Sequence, residues 1–141
     1  MAALLLACGG EATPDDAPDA AGAGAQPSVS EAWVRAAGAG SPGAAYLTIV
    51  NPTPDTLVVG NITSLDAGPV EAHESTIHDG MAHMAPVPRL VVAPGDSLVM
   101  RPGGVHLMLT PGQRPLVAGD SVRLELDLGG RTTQVVATIR P

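Results

Sequence analysis

The stretch SVRLELDL, residues 121–128, sets Val122, Leu124, Leu126 and Leu128 at every second position, with Arg123, Glu125 and Asp127 between them. A period of two sends the apolar side chains to one face of an extended chain and the charges to the other. It predicts a strand with one buried face, and a helix cannot use it. From residue 31 onward the rest of the chain has a related texture. Short apolar runs are broken by turn residues, and no segment combines sustained helical periodicity with caps. Strands are expected at 31–35, 44–51, 56–64, 70–75, 81–87, 97–100, 105–110, 121–128 and 132–139. Asn51-Pro52, Ala93-Pro94-Gly95-Asp96, Pro102-Gly103-Gly104, Pro111-Gly112 and Gly129-Gly130 punctuate them. That many short strands in one stretch of chain point to an all-β domain, a sandwich or a Greek-key barrel. No internal repeat is visible.

The core of such a domain has to be aliphatic, because Phe is absent and Trp33 and Tyr46 are the only aromatics. Residues 9–30, GGEATPDDAPDAAGAGAQPSVS, have almost nothing to bury and read as a disordered acidic tether ahead of a domain spanning 31–141. The formal net charge is −7. A chain this acidic does not offer the basic surface that phosphate backbones require, so nucleic acid is not an expected partner.

The single cysteine, Cys8, ends LLLAC and precedes Gly-Gly. This resembles a bacterial lipobox, where the signal peptide is cut before a cysteine whose thiol is then lipidated. Residues 1–8 are therefore expected to be the remnant of a signal that starts further upstream, and Cys8 a point of membrane attachment. A domain without thiols suits an oxidising compartment, and the expected location is the periplasm or the outer cell surface.

The chemistry concentrates in one window. All four histidines, His73, His78, His83 and His106, and every methionine after Met1 (Met81, Met84, Met100 and Met108) lie between residues 73 and 108. Imidazole with thioether is a soft donor set that favours Cu(I) and offers little to Mg(II) or Ca(II). His106 and Met108 stand two apart in VHLMLT, so alternation aims both off one face while Val105, Leu107 and Leu109 take the other. HESTIHDGMAHM, residues 73–84, reads as a hairpin turning near His78-Asp79-Gly80, with His73 and Met84 close across its base. In a regular strand Met81 and His83 share the face opposite Met84. Met100 closes the apolar run SLVM and reads as core. Spacing alone leaves open whether Met84, Met81, His78 or His83 joins His106 and Met108, since single methionines commonly fill cores and surface histidines are commonly just solvated.

The pattern His73, ten residues, Met84, twenty-one residues, His106, one residue, Met108 resembles the H-x10-M-x21-H-x-M signature of PCuAC-type periplasmic copper chaperones. AWVRA, GAAYLTIVN, VEAHES and RPGGVHLMLTPGQRPLVAGDSVRLELDL resemble the segments around it, so the likeness covers roughly 31–140. Ala82 departs slightly, standing where such domains carry a bulkier residue. The resemblance implies a cupredoxin-like (immunoglobulin-like) Greek-key β-sandwich. It implies one Cu(I) held by His73, Met84, His106 and Met108. It also implies delivery of copper to an acceptor such as the CuA subunit of cytochrome c oxidase or another copper chaperone. His78 and His83 are then candidates for a secondary Cu(II) site.

Three other readings are set against this one. A blue-copper electron carrier needs a Cys thiolate beside two His, which the domain lacks. A copper buffer or resistance protein would use the same ligands without delivering the metal. A metal-free extracellular β-sandwich interaction module would use none of them. An enzyme is not expected, because no nucleophile is paired with His and acid and the zinc-hydrolase string H-E-x-x-H is absent.

Overall fold

The computed structural model describes residues 25–110, 112 and 114–141. Cys8, the signal remnant, residues 9–24 of the tether and Pro111 of one expected turn lie outside the described residues. Ten strands are present: β1 (Ser28–Arg35), β2 (Gly43–Val50), β3 (Leu57–Ser64), β4 (Val70–His78), β5 (Met81–Pro86), β6 (Leu90–Val92), β7 (Ser97–Val99), β8 (Val105–Leu109), β9 (Ser121–Leu128) and β10 (Thr132–Arg140). The architecture is all-β, as the alternation requires, and no helix occurs among the described residues. β1 begins at Ser28, three residues before the expected start of the domain at 31. β6 was not expected: Leu90–Val92 is only three residues long, too short to show a period.

The strands form one hydrogen-bonded path, β5-β4-β8-β2-β1-β10-β9-β3-β6, with β7 added to β2. β1 is the seam. It runs antiparallel to β2 and parallel to β10, with Trp33 paired to both Tyr46 and Thr138. A register shift between Ser30 and Trp33, with Glu31 at φ 53°, bends β1 at the seam. The path thereby folds into a sandwich whose two inner faces share one core. Ala45, Leu47, Ile49, Leu107 and Leu109 face Val122, Leu124, Leu126, Ala137 and Ile139, all at most 4% exposed. Each fully buried leucine contributes about 1.5–3 kcal/mol relative to exposure. Met100 belongs to this core at 4% exposure, as its place in SLVM implied.

The outer face of the β5-β4-β8-β2-β1 half matters for function. Tyr46 and Thr48 of β2 point to it while Ala45, Leu47 and Ile49 point inward. The cross-strand pairs His73–His106, Glu71–Met108, Ala44–Met108 and Trp33–Tyr46 place all these side chains on that same outer face. β4 and β5 run on past the sandwich as a two-stranded ribbon, every residue of β5 being exposed.

Candidate metal centre

β8 carries the centre of the site. Its odd positions, Leu107 and Leu109, are completely buried in the core, so alternation sends His106 and Met108 to the outer face together. His106 is nevertheless only 4% exposed, because Tyr46 and the loop 101–104 close over it. Tyr46 stacks on Trp33 at 4.5 Å between ring centroids and lies 6.3 Å from the His106 ring. Tyr46 thus forms part of one wall of the site, with Trp33 packed behind it.

β4 supplies His73. It sits directly opposite His106, with ring centroids 6.2 Å apart. Two imidazoles that each reach one ion at about 2 Å put their centroids about 5–6 Å apart, so little movement separates this pair from joint coordination. β5 supplies Met84, which is 52% exposed. The hairpin is as expected in its turn, Asp79-Gly80, but its base is shifted. His73 pairs with Pro86, and Met84 pairs with Ser75. Met84 stays on the face of His73 because the displacement is two residues, one full period of the pleat. Four donors from three strands therefore share one face. Met84, His106 and Met108 line a cleft of about 360 Å³ together with Tyr46, Ser75 and Pro102. Two larger clefts, about 630 Å³ beside Asp66 and Arg114 and about 520 Å³ beside Val59 and Val87, hold no His or Met in their walls. Donor chemistry, not volume, singles out the smaller one.

The hydrogen bonds fix which ring nitrogens are free. Nδ1 of His106 lies 3.0 Å from the Gly104 carbonyl oxygen. That oxygen can only accept, so Nδ1 carries the proton and Nε2 keeps its lone pair. The same carbonyl accepts the Ser75 N–H at 3.1 Å, which ties β4 to the loop entering β8. Nε2 of His73 lies 3.3 Å from Glu71 Oε2, so by the same logic Nε2–H donates to the carboxylate and Nδ1 keeps its lone pair. That Nδ1 is buried and has no hydrogen-bond partner. A buried polar atom left unsatisfied is costly and rare, and here it is an imidazole donor whose ring lies 6.2 Å from that of His106. A protonated ring nitrogen held by a carbonyl or carboxylate is the usual support for a metal-bound histidine. Gly104 and Glu71 supply it. Sequence reading missed both, although Glu71 could have been found from its place two residues before His73 on the same strand face.

Met81 and His83 lie on the opposite face of the ribbon from Met84, as alternation implied, and His78 lies with them. They take no part in this cluster. No group of three or more His, Cys, Asp or Glu side chains with metal-binding geometry occurs among the described residues. Any metal at this centre therefore depends on the thioethers.

The family model described as "Putative lipoprotein LpqE-like" matches residues 28–139, the whole sandwich. The putative lipoprotein Lxx21020 of Leifsonia xyli subsp. xyli is 34% identical over 110 residues, 77% of this chain. The chain spans 66% of the length of that curated relative. Among solved structures, the copper-bound PCuAC domain from PmoF2 matches with a TM-score of 0.67 at 18% identity, covering 81% of this chain and 92% of that domain. The solution structure of CuI-DR1885 from Deinococcus radiodurans matches with a TM-score of 0.62 at 32% identity, covering 88% of this chain and 87% of that one. The chain belongs to the LpqE-like family and has the PCuAC-type, cupredoxin-like β fold.

Proposed function

We propose that this protein is an extracytoplasmic Cu(I)-binding copper chaperone, with His73, Met84, His106 and Met108 as its ligands. One observation carries the reading: three strands bring two thioethers and two imidazoles to one face, and the hydrogen bonds of His73 and His106 leave a lone pair free on each ring. Two thioethers without a thiolate select Cu(I). The likeness to CuI-DR1885, at 32% identity, supports the same metal and oxidation state.

The arrangement also suits transfer. His106 is almost fully covered, whereas Met84 lies on the ribbon's edge strand, half exposed. A partner's ligand can replace Met84 first and the buried histidine last, so copper need never be released into solvent. The acceptor we infer is a CuA subunit of cytochrome c oxidase or another copper chaperone. Lipid attachment through Cys8 at the periplasmic or outer cell surface fits the lipoprotein name of the Leifsonia relative.

The test is anaerobic Cu(I) titration of the protein followed by X-ray absorption. The expected result is one Cu(I) with sulfur and nitrogen scatterers in its shell. Oxygen-only coordination, or no binding, refutes the reading. Mixing the loaded protein with a purified CuA domain then separates delivery from storage, because a copper buffer keeps its metal.

A further inference from the structure

The β4–β5 ribbon carries donors on both faces. On the face away from His73 and Met84, Val70 and Ala72 pack against the core near the base. Further out, Glu74, Thr76, His78, Met81, His83 and Ala85 are all exposed. Thr76 pairs with His83 and His78 pairs with Met81, so His78 and His83 are diagonal neighbours on this face. Their ring centroids are 5.9 Å apart. The imidazole hydrogen bonds among the described residues belong to His73 and His106, which leaves both ribbon rings unengaged.

The register behind this pair is fixed locally. Asp79 and Gly80 both have positive φ, 52° and 76°, the signature of the two-residue turn whose twist matches paired strands. His78 precedes that turn and His83 follows it closely, so their approach is set by the hairpin itself.

We propose that His78 and His83 form a second metal site, a Cu(II) site, on the face of the ribbon opposite the Met–His cluster. Two rings that each reach one ion at about 2 Å have centroids about 5–6 Å apart, which the observed spacing meets. Imidazole ligands suit Cu(II), and Cu(II) stands at the top of the divalent affinity order. Exposure of both rings lets water complete a tetragonal shell. The exposed Glu74 carboxylate on the same face adds negative charge that favours a divalent cation. No residue is shared with the Cu(I) cluster, so each proposal stands or falls separately.

The experiment is aerobic Cu(II) titration of the full chain, read by electron paramagnetic resonance and by paramagnetic broadening of the histidine ring protons. The expected result is one Cu(II) with superhyperfine structure from two imidazole nitrogens, and broadening centred on His78 and His83. The His78→Asn/His83→Asn variant should bind Cu(II) at least about 10–100-fold more weakly, since loss of a ligand costs no less than loss of an outer-shell partner. His73→Ala should leave Cu(II) binding unchanged. Broadening centred on His73 and His106, or full Cu(II) affinity in the double variant, overturns the proposal.

Discussion

His73 and His106 stand directly opposite each other across β4 and β8, their ring centroids 6.2 Å apart, with three strands of chain between them in sequence. Each ring is held by a hydrogen bond on one nitrogen, His73 by Glu71 and His106 by Gly104.

Met84→Ala separates binding from folding. Met84 is 52% exposed on an edge strand, and surface substitutions of this kind change stability by within about 0.5 kcal/mol. Loss of a thioether ligand should weaken Cu(I) binding by about 10–100-fold or more. Competition against a chromogenic Cu(I) chelator, with thermal unfolding in parallel, reads both quantities. Unchanged affinity removes Met84 from the ligand set.

Glu71 acts on His73 from outside the metal's shell. Glu71→Ala removes the acceptor that holds the proton on Nε2, so the tautomers mix and Cu(I) affinity should fall by about tenfold. Glu71→Gln keeps an acceptor oxygen and should largely restore it. Imidazole nitrogen chemical shifts of His73 will show the tautomer change directly. An Ala variant with wild-type shifts assigns Glu71 no positioning role.

Gly80 sets the ribbon's register. Its φ is 76° and nothing lies within 4 Å of where a Cβ would stand, so the constraint is backbone conformation and not crowding. Gly80→Ala should cost about 1–2 kcal/mol of local stability. Amide exchange in β4 and β5 should accelerate while the core strands keep their protection. Because the ribbon presents Met84, Cu(I) affinity should fall modestly in the same variant.

Asn51 tests the core independently of the metal centre. Its side chain is fully buried, and its amide donates to the carbonyls of Asp55 at 2.8 Å, Val92 at 3.0 Å and Ala93 at 3.2 Å. Asn51→Ala orphans these acceptors and should cost about 2–4 kcal/mol in urea unfolding. Cu(I) affinity of the folded variant should be unchanged.

Asp66 gives stability a dependence on acid. The side-chain hydrogen bond from Arg123, followed by the Arg123 backbone N–H, holds its carboxyl below the ordinary 3.8. A depressed carboxylate stabilises the fold fully above its ordinary value, and the contribution is lost as pH falls through the folded value. Asp66→Asn should therefore lower the melting temperature at neutral pH, and the difference from wild type should close at strongly acidic pH. A pH-independent gap would show that hydrogen bonding alone, without charge, supports this pair.

Local alternation determined a great deal. SVRLELDL forms a strand at the residues expected, with Val122, Leu124, Leu126 and Leu128 buried. The same rule placed His106 with Met108 and separated Met81 and His83 from Met84, while the turn residues placed the hairpin turn near His78-Asp79-Gly80, where Asp79 and Gly80 form it. These are properties of neighbouring residues on one strand or one ribbon, where a period of two leaves no freedom. What alternation could not supply is pairing between distant strands. That His73 meets His106 depends on the register of β4 on β8, and that Met84 pairs with Ser75 instead of His73 depends on the register of β5 on β4. The β4–β8 register follows from which apolar faces the shared core accepts, a non-local condition, whereas the two-residue turn at Asp79-Gly80 sets the β4–β5 register. Tertiary structure alone also brought Tyr46 to within 6.3 Å of the His106 ring. Sequence determined which side chains leave the strand together; packing of the sandwich decided which of them meet across strands.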